Sequence, residues 1–332
     1  MRIGITCDVK TDSPSGGNLP DDYQEEFDSP ITVEAIAAVL RNLGHKVEVL
    51  GDGRPMLERL LVDPPDFVFN FAEGHGIGRS REARVPAVLE MLNIPYSGSD
   101  PLTLAVTLDK DCARRLVRSH GVPVPGGVLC NVEDDVALLL SRAEAGTAPW
   151  IVKPAWEGSS KGIRGKCVVD TPAEAADAVR RLHTDYDQPV LIEEFISGEE
   201  LTVGIVGNDP PQIVGVMRVL PQQATERFVY SLEVKRDWQR QVKYECPARI
   251  NAAQLAAVER TALQAYQALG CQDVSRIDFR LRGETPYFLE VNPLPGLNPE
   301  TSDLVILGRM AGWPYERLIG AILQAALKRY GL

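Results

Sequence analysis

The chain opens on a short apolar run, "RIGIT", followed by "ITVEAIAAVLRNLG", whose apolar positions recur at helical spacing and stop on a glycine. The alternation of short apolar run and amphipathic helix continues through "KVEVL", "DFVFNFA", "REARVPAVLEMLN" and "IPYSG". Strands separated by helices of this length predict a parallel sheet. The pattern breaks between Ser97 and Pro101. A second segment then offers a helix in "DKDCARRLVRSHG", an extended "VPVPGGVLC", an Ala- and Leu-rich helix, and two strands joined by a Gly/Ser loop in "WIVKPAWEGSSKGIRGKCVV". From about Val190 come the strands "PVLIEEFI", "EELTVGIVG" and "PQIVGVMRVL", a polar loop from Gln222 to Arg240, a helix from Asn251 to Leu269, and a closing hairpin. The expected architecture is α/β and α+β, with an amino-terminal parallel-sheet part over residues 1–98, a small central part over 99–189 and a carboxy-terminal part over 190–332.

The hairpin "DFRLRGETPYFLEVNPLPGLN" carries a glutamate in the middle of its apolar second strand. Folded about a three-residue turn "GET", it sets Asp278 opposite Glu290, with Asn292 two residues on and on the same face. Two carboxylates that close repel unless a cation lies between them, and hard oxygen ligands suit Mg²⁺. Upstream, "KPAWEGSSKG" places Lys153 on a strand and Gly158, Ser159, Ser160 and Gly162 at a bend, where backbone N–H groups and hydroxyls can approach an anion. This is not the Walker arrangement, in which the lysine follows the glycines and a helix comes next. Lys110 stands at a helix start, and "IEEFISGEELTV" presents Glu193, Glu194, Glu199 and Glu200. Two lysines, a Gly/Ser loop, an acidic strand and an Asp/Glu/Asn hairpin together describe one nucleoside-triphosphate site.

Composition narrows the setting. With 332 residues the chain is too long for one ordinary core. Its 44% hydrophobic and 24% charged content is that of a globular protein. A net charge of −11 argues against a nucleic-acid surface. No apolar run is long enough for a signal peptide or membrane span, so a cytoplasmic protein without a membrane partner is expected. Cys7, Cys112, Cys130, Cys167, Cys246 and Cys271 lack metal-ligand spacing and read as reduced, mostly buried thiols.

The ordered series "TLDK", "IVKPAWEGSSKG", "IEEFISGEELTV", "RIDF" and "FLEVNPLPGLN" resembles the ATP-grasp superfamily, and within it the D-alanine-D-alanine ligase group. The resemblance implies an ATP-grasp fold with a central lid and an ATP-dependent ligase that joins a carboxylate to an amine through an acyl phosphate. It implies ATP and two Mg²⁺ ions, with Mn²⁺ as a substitute, small-molecule substrates and a homodimer. Lys110 and Lys153 would hold the phosphates. Glu193, Glu194 and Ile196 would face adenine, and Glu200 the ribose. The loop Glu157, Gly158, Ser159, Ser160 would close over the γ-phosphate, with Lys235 nearby. Asp278, Glu290 and Asn292 would bind the metal ions, and Arg276 with the Gly296 N–H would stabilise an oxyanion.

The substrate positions depart from the family pattern. Arg236 stands where a tyrosine follows the lysine, and Glu73, or with another gap His75, stands at the family's histidine. Glu26, or Glu25, aligns with the glutamate that grips the first amino group, and Thr301 and Ser302 with the serine that holds the acceptor carboxylate. Arg236, Arg79 and Arg81 could face a carboxylate-rich acceptor. An ATP-grasp phosphotransferase and a non-catalytic nucleotide binder are the alternatives. An oxyanion site at Arg276 and Gly296 favours acyl transfer over the first, and intact metal and phosphate residues count against the second.

Overall fold

A computed structural model of the chain describes residues 1–11, 20–223 and 225–332. The first part contains β1 (Arg2–Thr6), α1 (Pro30–Asn42), β2 (Lys46–Val49), α2 (Gly53–Val62), β3 (Phe67–Asn70) and α3 (Arg84–Met91). Its strands form a parallel sheet in the order β2-β1-β3, as the alternation predicts. The expected fourth strand at "IPYSG" contracts to a single parallel bridge between Val68 and Tyr96. Two helices follow, α4 (Pro101–Leu108) and α5 (Lys110–Ser119), each started by an aspartate whose carboxylate accepts a first-turn N–H. These caps, Asp100 and Asp109, fix where α5 begins and so where Lys110 stands.

The central sheet is antiparallel and runs β4-β7-β5-β6. It is built from β4 (Gly127–Cys130), β5 (Trp150–Pro154), β6 (Val168–Val169) and β7 (Val190–Glu194), backed by α6 (Val136–Leu140) and α7 (Pro172–Tyr186). Strand β7 opens the expected carboxy-terminal part, yet it pairs with β4 and β5 here. The sheet therefore reaches past residue 189, because Val190, Leu191 and Ile192 bury their side chains completely, Val190 and Ile192 in the core under α7.

The large sheet runs β10-β9-β8-β11-β12. Its strands are β8 (Glu199–Val206), β9 (Gln212–Pro221), β10 (Val242–Glu245), β11 (Val274–Arg282) and β12 (Thr285–Asn292). Between β9 and β10 the expected polar loop holds two short helices, α8 (Leu232–Arg236) and α9 (Trp238–Gln241). Helix α10 (Ala252–Leu269) starts on a capping box of Asn251 and Gln254 and ends at Gly270. The chain closes with α11 (Asp303–Met310) and α12 (Tyr315–Tyr330).

Strand β11 alternates Ile277, Phe279 and Leu281, buried in the core shared with α10, with Arg276, Asp278 and Arg280 on the other face. That other face is apolar near Val206, Met217 and Val274, which share a core with α1, α11, α12, β1 and β3. It turns polar toward the hairpin end, where a cleft opens under the central sheet.

Candidate active site

The Asp278 to Glu290 pairing occurs as expected, but by a different route. Arg282 pairs with Thr285, so the turn has two residues, Gly283 and Glu284, with Gly283 at φ +63°. The pairing then steps at Leu289, an extra residue in β12 that faces none on β11. A shorter turn and a one-residue bulge give the same offset as a three-residue turn. The bulge also has a chemical use: it lets both Leu289 and Glu290 line the cleft.

Around the hairpin the charges interlock. Arg276 reaches Asp278 at 3.0 Å, Asp303 at 3.6 Å and Glu290 at 3.7 Å. Lys110 donates to Glu290 at 3.0 Å, and Thr202 donates to Asp278 at 2.8 Å. Burial alone would raise the Glu290 carboxyl, but Lys110, Arg276, Lys235 and Lys153 hold it well below the usual carboxylate range. Asp278 goes the other way: burial pushes it up, Arg276 opposes that, and Glu290 adds to it. Asn292 Nδ2 is buried with no partner among the described residues. Two crowded carboxylates fit a divalent cation with oxygen ligands, to which the Asn292 amide oxygen could add a third.

The cleft beyond is lined by Lys153, Ser160, Glu193, Glu194, Ile196, Glu200, Lys235, Asp278 and Glu290. Lys153 on β5 meets Glu193 on β7 at 2.5 Å. Glu194 meets Arg282 at 2.8 Å, and Glu200 meets Arg280 at 2.8 Å. Burial raises the Glu200 carboxyl against the pull of Arg280. Lys235 lies over the Tyr230 ring at 5.1 Å.

A second cavity of about 220 Å³ adjoins this cleft across the Lys110–Glu290 pair. Glu26, Glu73, Glu157, Gly158, Ser159, Arg276, Asn292, Gly296, Thr301 and Ser302 line it. The two loop serines thus divide: Ser159 faces this pocket, while Ser160 faces the cleft and donates to the Tyr230 carbonyl at 3.1 Å. Both sit at positive φ, +49° and +60°, an unusual pair for residues with a Cβ and a sign that the loop is held from outside. A Cβ at Gly296 would come within 2.8 Å of the Ser302 hydroxyl, which accepts from the Asn298 N–H and shapes this wall.

Four of the charged positions are paired within the chain. Glu26 lines the second cavity with its carboxylate already engaged: it accepts from Arg81 at 2.8 Å and from the Gly158 N–H at 2.6 Å, and Lys161 lies 3.5 Å away. Arg81 faces no acceptor. It is 1% exposed and joins Glu26, Glu157 and the Trp156 carbonyl, with Lys161 bonded to the same Glu157. Arg236 lines neither cavity, because Asp21 and Glu25 each hold it at 3.1 Å. Arg79 likewise pairs with Asp109 at 2.6 Å. The sequence shows these as exposed-looking charges, since nothing local marks their distant partners.

Missed altogether were Asp28 and Glu82, which line the second cavity beside Glu73. Glu82 bonds the Glu73 carboxyl, and burial pushes Glu82 up to about 7 and Glu73 well above its ordinary value. Burial also pushes Asp28 from 3.8 up to about 7, with a Thr32 hydrogen bond opposing. A raised acid favours the folded state fully only below its unfolded value, and that contribution is lost as pH rises through about 7. Asp28→Asn, which keeps an acceptor for Thr32, is therefore expected to stabilise the protein by about 2 kcal/mol at pH ~8, the gain fading toward pH ~4. Urea unfolding at the two pH values checks this; an equal effect at both would exclude titration as the cause.

The three sheets and two adjoining cavities define the ATP-grasp class. Solved structures share this fold: a D-alanine–D-alanine ligase from Bacillus anthracis complexed with ATP aligns with TM-score 0.75 at 22% identity, over 100% of this chain and 99% of that one. The VanG D-Ala:D-Ser ligase from Enterococcus faecalis aligns with TM-score 0.73 at 21% identity, over 98% and 99%. The sequence model described as D-ala D-ala ligase C-terminus matches residues 116–324. The D-alanine–D-alanine ligase of Gluconobacter oxydans (strain 621H) is 32% identical over 306 residues, 91% of this chain and 95% of its own. An uncharacterized protein, y4sG of Sinorhizobium fredii (strain NBRC 101917 / NGR234), is 32% identical over 312 residues, 90% and 88% of the two chains. The chain belongs to the D-alanine–D-alanine ligase family and is an ATP-dependent, amide-forming ligase. Among the described residues no helix is long and apolar enough to cross a membrane.

Proposed function

We propose that the protein condenses two small amino-acid-like substrates through an acyl phosphate. The carboxylate of the first attacks the γ-phosphorus of ATP and ADP leaves. The amine of the second attacks the acyl carbon, phosphate leaves, and an amide remains. The observation that carries this reading is the meeting of two cavities at Lys110, Glu290 and Arg276. A nucleotide in the cleft would present its terminal phosphate to a substrate in the pocket.

Lys110 and Lys153 would bind phosphate oxygens once released from Glu290 and Glu193. Glu194, Ile196 and Glu200 would contact the nucleoside. Asp278, Glu290 and Asn292 would hold Mg²⁺, which neutralises charge on the transferring phosphoryl group. Arg276 and the Gly296 N–H would stabilise the oxyanion when the amine adds. The loop Glu157 to Ser160 excludes water from an intermediate that hydrolyses easily. With Glu26 occupied, Asp28, Glu73 and Glu82 are the groups left to receive an ammonium, while Thr301 and Ser302 face a carboxylate. The division into 1–98, 99–189 and 190–332 belongs to this proposal, with β7 moving with the central lid; so does a homodimer.

Phosphate release with ATP and Mg²⁺ against D- and L-amino acids, singly and in pairs, with products read by mass spectrometry, tests the reading. Release that needs a pair and yields its condensed mass supports it. Phosphorylation of a single hydroxyl compound would instead establish a phosphotransferase.

A further inference from the structure

We infer that the amino-terminal sheet carries a second divalent-metal site, of transition-metal type, formed by Asp8, Asp52 and His75. Their ligand atoms lie within 4.8 Å of one another. Each residue follows the carboxyl end of a different parallel strand: Asp8 after β1, Asp52 after β2 and His75 after β3. The sheet order β2-β1-β3 makes β1 the point where the connections reverse direction, the place at which open α/β sheets receive ligands.

Three further observations point to an ion. Asp8 is 2% exposed, and its Oδ1 has no hydrogen-bond partner among the described residues although His75 Nε2 lies 2.8 Å away. Its other oxygen accepts from the Gly74 N–H at 2.8 Å, which aims Oδ1 at the imidazole. Asp52 stands at the N-cap position of α2 yet makes no cap bond, and its carboxyl turns to Asp8 instead. The His75 ring is steadied edge-on by Phe27 at 4.8 Å. One imidazole with two carboxylates, leaving coordination positions open to solvent, suits Zn²⁺ or a similar ion better than Mg²⁺. An ion there ties the segment that carries Glu73 to the ends of β1 and β2.

The test is calorimetric titration of untagged, EDTA-stripped full-length protein with Zn²⁺, with bound metal counted by elemental analysis. One ion per chain is expected beyond the number bound by the Asp52→Asn/His75→Gln double variant. Asp52→Asn and His75→Gln, at half-buried and largely exposed positions, should each weaken binding at least ~10-fold. Asp63→Asn, at a carboxylate paired with Arg2 and outside both clusters, should leave it unchanged. Failure of the unaltered protein to bind one ion, or equal binding by an Asp52→Asn/His75→Gln double variant, overturns the assignment; it leaves the ligase reading untouched.

Discussion

Glu290→Gln is expected to lower ATP-dependent turnover by about 10³-fold or more while leaving the melting temperature close to that of the unaltered protein. The reason lies in how the hairpin uses this carboxylate. Glu290 is the partner of Lys110 and a neighbour of Arg276, and the cations around it hold it ionised at any working pH. A neutral amide of the same size keeps the strand pairing with Asp278 but removes the charge that balances those cations and that the proposed mechanism needs to hold Mg²⁺. Arg276 keeps Asp278 and Asp303 within range, and Glu26 and Glu157 still act on Lys110 from farther away, so the fold tolerates the change. Initial rates of ADP formation and a thermal melt on the same sample check both halves. Turnover near that of the unaltered protein would remove Glu290 from the metal site.

The second large effect is structural. Arg81→Met is expected to destabilise the protein by about 3 to 5 kcal/mol, the cost of stripping the partner from buried carboxylates. Arg81 joins Glu26 and Glu157, both themselves buried, and among the described residues Lys161 is the cation that would remain within 4 Å of the two negative charges. Glu26 also accepts from the Gly158 N–H, so the loop over the second cavity should loosen with the network. The double variant Arg81→Met/Glu26→Gln should recover part of the loss, since it removes one of the stranded charges. Urea unfolding of the three proteins decides it; a loss below about 1 kcal/mol would mean that water reaches the site and screens it.

Both predictions concern charge, yet the sequence displays the two sites very unequally. The Asp278–Glu290 hairpin is local: its residues lie on adjacent strands joined by two residues, and alternation alone puts Asp278, Glu290 and Asn292 on one face. The sequence reading even reached the observed pairing with the wrong turn length, because a bulge at Leu289 replaces the residue missing from the turn. Lys110, Lys153 and the Gly/Ser loop were legible for a similar reason, since each is marked by a helix start, a strand or a bend that neighbouring residues announce.

The Arg81 network has no such marker. Its ion pairs join residues 55, 76 and 135 positions apart, and a charged side chain in a polar stretch looks the same whether it ends in solvent or in a core. Arg236 was read as a substrate contact on the strength of its position, but the segment holding Asp21 and Glu25 comes to it and takes it up. Strand β7 gives the same lesson for the fold, since its apolar run fits either sheet and only packing against α7 chooses the central one. Sequence by itself determined most of the order of strands and helices, the paired carboxylates of the hairpin and the residues that line the cleft, because periodicity and turn residues act over a few neighbours. The tertiary structure alone decided which charges are spent on each other and which remain for a ligand, because that depends on distant segments meeting in a medium from which water has been removed.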